Sequence, residues 1–387
     1  MLELTLIQEL AMQLSRIIVD DMMNRLSVEH PKIMIIYGAR QVGKTTLVNR
    51  VLSKTGYKTL YLNGDDRDDM ARISSRNTTK LAKMVQGYDL LFIDEAQKVT
   101  DIGTNLKILY DRCKPLKIIV AGSSALELAN QVQESLAGRA HKYLLYPIAM
   151  AELAVHYTPV ELEKQLEIYL LYGMYPDIFQ ENTIEDKKLY LKHLLESYLY
   201  KDVLELENIK YSKKIRDLLE LLAWQIGSEI SYSELGQKLG LSHHTVIHYI
   251  DLLEQAFVIQ TLRGFSKNLR KEITKKPKIY FHDLGIRNAL INNFASLNKR
   301  NDTGALWENF LFMERSKRNH YGKFICTQNF WRTYTGAELD YIEGYDSTLY
   351  GYAFKWHKTA RLPKLWLEQY STHCQTITQE NFLEFVL

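Results

Sequence analysis

The chain has 387 residues, 46% of them hydrophobic, with 49 Lys and Arg against 46 Asp and Glu, a formal net charge of +3. These values fit a globular protein of two or three domains and exclude a polycation, so any nucleic-acid contact must come from a local basic patch. Cys113, Cys326 and Cys374 lie far apart, without disulfide or metal-ligand spacing, which predicts a reducing, cytoplasmic setting.

Residues 1–30 read as an N-terminal helix, broken at Glu29–Pro31. Glu3, Glu9 and Arg16 interrupt its apolar run, unlike the core of a signal peptide, and no apolar run in the chain is long enough for a membrane span. No membrane partner is expected. Residues 31–150 then alternate strand-like and helix-like runs, with strands predicted at 32–37, 58–63, 89–94, 117–122 and 142–146. Several of these are nearly continuous apolar runs, the pattern of parallel strands covered on both faces, so an open α/β sheet is expected.

The first strand leads into "GARQVGKT", residues 38–45, which satisfies G-x-x-x-x-G-K-[ST] and opens a helix. Gly38 and Gly43 permit a tight turn whose N–H groups, those of Ala39, Arg40, Gln41, Val42 and Thr46 included, face phosphate oxygens at a helix N-terminus. Lys44 is placed to reach the β and γ phosphates, and the Thr45 hydroxyl to ligate Mg²⁺. Downstream, "LLFIDEA" is an apolar strand ending in two acids. Asp94 is predicted to share in holding Mg²⁺ and Glu95 to act as general base toward the attacking water. Ser123 or Ser124, ending the strand "KIIVAG", offers a small polar group to the γ-phosphate or the water. The guanine-reading pattern Asn-Lys-x-Asp is absent, which favours ATP; its nearest approach, "NKRN" at 298–301, lies far outside this region.

Residues 151–225 carry Leu, Tyr, Glu and Lys at helical spacing and predict a helical subdomain. Within 226–280 a short helix, a Gly-Leu-Ser turn and a longer helix follow one another, which is helix-turn-helix spacing. Leu241–Gln260 has no Lys or Arg, only His243, His244 and His248, so this helix alone is a poor reader of DNA. The segment 263–278 has seven basic residues and one acid, which reads either as a winged hairpin following a nucleic-acid backbone or as a solvated basic loop of a packing module. Residues 281–387 are mixed: a helix over 304–318 precedes strands at 330–336, 337–344 and 349–357. On the last of these, Tyr350, Tyr352, Phe354 and Trp356 alternate with Gly351, Ala353, Lys355 and His357.

With its blocks "GARQVGKTTL", "LLFIDEAQ", "VAGSSALEL", "LAGRAHKYLLYPIAMAEL", "YGMYPDI", "SYLYKDVLEL" and "KIYFHDLGIRNAL", the chain resembles the bacterial and archaeal AAA-type ATPases that carry a C-terminal domain of unknown function. The resemblance implies a parallel sheet in the order 5-1-4-3-2, with Asp94 and Ser123 on strands flanking the phosphate loop. It also implies that Arg139 neutralises transition-state charge, in its own subunit or in a neighbouring one of a homo-oligomer; the alternative is a helix cap or a surface pair. The tail resembles a restriction-endonuclease-like domain, which implies a metal site with Glu308 on a helix, Asp340 on a strand and Lys355 closing an acid-x-Lys motif. Ala353 stands where that motif has its first acid, and Glu338, on the same strand face as Asp340, is the candidate to compensate. The whole reads as a Mg·ATP-hydrolysing protein whose nucleotide state is coupled to a DNA or protein partner. An ATP-regulated nuclease, and a binding module with ATP as a structural ligand, are the alternatives.

Overall fold

The computed structural model describes residues 15–123, 136–196, 212–266, 276–357, 362–370 and 373–387. Ser124, most of the basic segment (267–275) and the block "SYLYKDVLEL" fall outside them. The chain divides into two compact units, residues 15–147 and 148–387.

The first unit contains α1 (Ile18–Leu26), β1 (Ile33–Tyr37), α2 (Lys44–Ser53), β2 (Thr59–Asn63), α3 (Arg67–Ile73), α4 (Thr78–Val85), β3 (Leu90–Asp94), α5 (Ile102–Arg112), β4 (Lys117–Gly122) and β5 (Ala140–Leu144). All five strands lie where the apolar runs predict, with ends shifted by one or two residues. They form one parallel sheet in the order β5-β1-β4-β3-β2, as expected. β3 is buried along its whole length and β1 at all but its last residue, which follows from strands covered on both faces. One face packs Ile33, Ile35, Leu91, Ile93 and Val120 against Leu81 and Val85 of α4 and Leu106 and Leu109 of α5. Local chemistry sets the helix ends: Asp66 accepts from the Asp68 and Asp69 amides at the start of α3, and Asn77 from the Lys80 amide at the start of α4.

The second unit begins with α6 (Met150–Leu153), α7 (Pro159–Tyr172), α8 (Ile184–Leu194) and α9 (Ser212–Trp224). Thr158, Pro159 and Glu161 start α7 with a reciprocal capping box. The helix-turn-helix spacing gives α10 (Tyr232–Leu239) and α11 (His243–Gln255). Gly240, left-handed at φ 64°, ends the first helix, and Ser242 caps the second by accepting from the Thr245 amide. β6 (Ile259–Gly264) and β7 (Lys278–Phe281) pair antiparallel, and α12 (Leu284–Leu290) and α13 (Thr303–Tyr321) follow. Then come β8 (Thr327–Arg332), β9 (Glu338–Tyr345), β10 (Thr348–Phe354), α14 (Lys364–Gln369), β11 (Cys374–Ile377) and α15 (Phe382–Val386). The sheet runs β11-β10-β9-β8-β6-β7, so the strand pair after the helix-turn-helix is continuous with the C-terminal strands.

Both faces of β10 are core. Tyr352 and Phe354 pack on Tyr341 and Phe385. Ala353 joins a second apolar cluster of Trp331, Leu339, Ile342 and Trp366. Gly351 lies in the same crowded place: a Cβ there would come within 2.8 Å of Leu339 Cδ1 and 3.1 Å of Trp366 Nε1. Among the described residues of the chain no helix is long and apolar enough to cross a membrane.

Candidate functional site

The loop from Gly38 to Thr45 joins β1 to α2. Gly38 adopts φ +151°, and a Cβ on it would lie 2.2 Å from the Leu145 carbonyl oxygen, so a side chain is excluded there. Gln41 and Gly43 are left-handed at φ 60° and 90°. Gly43 occupies the N-cap of α2 and carries no side chain to cap the first turn, which leaves that helix end open to an anion. Ala39 and Val42 are buried, Arg40 is half-buried, and Thr46 is exposed on the first turn. Lys44 is only 6% exposed, and its ammonium donates to the carbonyls of Gly38 (2.9 Å) and Ala39 (2.8 Å). The charge is thus folded onto its own loop, against neutral acceptors that a phosphate oxygen outcompetes.

Asp94 ends β3, beside the loop. Its Oδ2 accepts from the Thr45 hydroxyl at 2.7 Å and lies 3.5 Å from the Tyr61 hydroxyl, and its Oδ1 accepts from the Glu95 amide at 3.0 Å. A hydroxyl and a carboxylate in direct contact form the hard-oxygen set that suits Mg²⁺. Glu95 is left-handed, at φ 47° and ψ 39°. Gly64 packs directly on its backbone, where a Cβ would meet the Glu95 carbonyl oxygen at 2.2 Å. Ser123 follows the last residue of β4, the strand between β3 and β1. The structure therefore brings together Gly38–Thr46, Asp94, Glu95 and Ser123.

Arg139 is elsewhere. Its carbonyl accepts from the Ile33 amide at the start of β1, whereas the loop begins at the other end of that strand. At ~3.3 Å per residue this is about 15 Å away. Its guanidinium pairs with Asp111 at 3.0 Å on the surface. A role for Arg139 at the phosphate loop of its own chain is thereby corrected: it sits at the opposite end of the strands.

Three contributors were missed by sequence reasoning. Arg16, 7% exposed, donates to the Val42 carbonyl (2.9 Å) and the Tyr146 carbonyl (2.6 Å), so it braces the loop from behind. Gln97 donates to Glu95 Oε2 and Ser123 Oγ. Tyr61 reaches Asp94 from β2. Of these only Gln97, two residues after Glu95, had a local signal in "DEAQ".

The C-terminal acids do converge, but on a cation of the chain itself. The Lys278 ammonium lies 2.9 Å from Glu308 Oε1 and 2.6 Å from Glu338 Oε1. The Tyr280 hydroxyl donates to Glu308 at 2.5 Å. Burial alone would push the Lys278 pKa down; the charges of Glu308, Glu338 and Asp340 outweigh it and hold the pKa above the ordinary lysine value. Glu308 is raised, chiefly by its burial, with Lys278 opposing and Asp340 adding to the shift. Asp340 accepts from the Phe354 amide at 2.7 Å, and Lys355, half-exposed, stands 3.4 Å away. Ala353 contributes only to the apolar cluster under Trp366. Lys278, counted in the basic segment as a nucleic-acid contact, is 3% exposed and ion-paired, and this expectation is corrected; its neighbour Lys276 is exposed.

The phosphate-loop geometry agrees with comparison to known sequences. Residues 30–154 match the sequence model of an AAA domain. In sequence and in loop geometry this region is similar to P-loop ATPase domains of AAA type. Residues 163–297 match a domain of unknown function (DUF8612). An uncharacterized protein of Mycobacterium tuberculosis is 26% identical over 337 residues, covering 86% of this chain and 72% of the relative. One of Methanocaldococcus jannaschii is 26% identical over 332 residues, covering 80% of this chain and 72% of the relative. Among solved structures, the Walker-type ATPase of Pyrococcus abyssi superposes with a TM-score of 0.48 at 14% identity, over 70% of this chain and 94% of that one.

Proposed function

We propose that the first unit binds and hydrolyses Mg·ATP by in-line attack of water, and that nucleotide state is coupled to a nucleic-acid or protein partner of the rest of the chain. The observation that carries this reading is the Thr45–Asp94 contact at 2.7 Å, directly beside a loop that holds the Lys44 ammonium. Lys44 and the loop amides bind and orient the phosphates, and Thr45 and Asp94 hold the metal. Bound there, Mg²⁺ supplies charge neutralisation to the phosphate oxygens. Glu95 takes the proton of the attacking water.

The same reading leaves the C-terminal acids out of catalysis. Lys278 already neutralises Glu308 and Glu338, and an acid placed at Ala353 would enter an apolar cluster without a partner. The nuclease-like region is then a scaffold, and exposed Lys276 and the exposed face of α11 (His243, His244, His248), both in the preceding segment 226–280, are the candidate contact surface. Arg139, remote from the phosphate loop of its own chain, acts on another copy.

The test is phosphate release from ATP by the full chain. It is expected to require Mg²⁺, to stop when EDTA is in excess, and to give Glu95 variants that still bind ATP. Repeating it with and without DNA and across protein concentration reads partner coupling and assembly. ATP binding without turnover under every one of these conditions would instead favour a structural ligand.

A further inference from the structure

We infer that Gln97 is a positioning residue that ties the Glu95 carboxylate to Ser123, so that a contact made at Ser123 is passed to the base. The inference rests on the assignment of Glu95 as general base and names the residue that aims it.

Gln97 lies in the single 3₁₀ turn Ala96–Lys98 immediately after Glu95 and is 8% exposed. One amide nitrogen serves two partners: it donates to Glu95 Oε2 at 2.6 Å and to Ser123 Oγ at 2.9 Å. The orientation of the amide is fixed by chemistry, since the opposite one would set its carbonyl oxygen against a carboxylate. Gln97 thereby spans from the end of β3 to the end of β4, and β4 is the strand paired with β1, which leads into the phosphate loop.

The other end of the amide is equally informative. Gln97 Oε1 is buried and accepts no hydrogen bond among the described residues. A buried carbonyl beside the base is a ready acceptor for a water proton. Gln97 can thus orient the carboxylate through its nitrogen and the attacking water through its oxygen. The left-handed backbone of Glu95 and the close approach of Gly64 restrict where that carboxylate can go, so loss of the amide leaves it without its lateral support. Ser123 is the end of the chain of bonds that faces the phosphate side. When its hydroxyl engages a γ-phosphate oxygen, the bond to Gln97 changes and the Glu95 carboxylate is re-aimed.

The experiment is a double-mutant cycle on the full chain with Gln97→Leu, Ser123→Ala and the pair, with Glu95→Gln in parallel. Fluorescent ATP-analogue affinity and Mg·ATP turnover are both read. Gln97→Leu is expected to keep analogue affinity within about twofold and to lower kcat about 10- to 100-fold with KM little changed, the size of effect that a displaced reacting group produces. The pair is expected to be no slower than Gln97→Leu alone, because both substitutions break one chain of bonds. Wild-type kcat in Gln97→Leu, or strictly additive losses in the pair, with Glu95→Gln inactive, overturns the inference alone. Wild-type turnover in Glu95→Gln overturns the assignment of the base, and the inference with it.

Discussion

Glu95→Gln is expected to bind Mg·ATP as the wild type does and to release phosphate about 10²- to 10⁴-fold more slowly, the range for loss of a positioned general base. The substitution keeps shape and removes only the charge that accepts the water proton. Lys44, Thr45 and Asp94 keep their contacts, so affinity for the nucleotide is expected to hold. The expected separation of binding from turnover is what distinguishes a catalytic Glu95 from a solvated acid at a strand end. Equilibrium binding of a fluorescent ATP analogue, with single-turnover phosphate release on the same preparations, checks both halves. Equal loss of binding and turnover would point to a role for Glu95 in holding the loop instead.

Lys278→Met carries the second large effect, on stability. Among the described residues, it removes the cation that contacts both Glu308 and Glu338 and leaves two partly buried carboxylates facing each other, with Arg332, 3.8 Å from Glu338, as a remaining cation. Breaking a buried ion pair by deleting one partner costs about 3–5 kcal/mol. All five tryptophans, Trp224, Trp307, Trp331, Trp356 and Trp366, lie in the second unit, so tryptophan fluorescence reports the unfolding of that unit alone. A marked fall in its urea midpoint is expected for Lys278→Met, with a smaller fall for Lys278→Arg, which keeps the charge. An unchanged midpoint in Lys278→Met would show that the acids do not depend on the ammonium.

The phosphate loop and the Asp94–Glu95 pair were legible in the sequence because their chemistry is local. A strand, a glycine turn and a helix start follow one another within a few residues, and the acids end an apolar run that has to be a buried strand. The five strands were legible for the same reason. Their order was implied by resemblance alone, since spacing does not say which parallel neighbours a strand takes. Arg139 shows the limit: its place in the chain gives no indication of which end of the sheet's strands it occupies, and the register of β5 on β1 decides that.

The second unit was harder to read, because its partners are remote in sequence. Lys278 looked like the end of a basic loop. Its partners Glu308 and Glu338 lie 30 and 60 residues away, and only the fold makes it a buried cation. Ala353 looked like a lost metal ligand. Trp331 and Trp366 turn its position into part of an apolar core, for which alanine is the fitting residue. Ser123 was visible as a strand-end serine, but its link to Glu95 runs through Gln97, 26 residues earlier in the chain.

The central claim, that the loop at Gly38–Thr45 turns over ATP, is tested most directly by phosphate release from saturating Mg·ATP, measured side by side for the wild type and Lys44→Met. Loss of the ammonium is expected to weaken nucleotide binding and to reduce release to the no-protein background. Equal release by the two proteins would contradict the account, because the hydrolysis would then not depend on this loop.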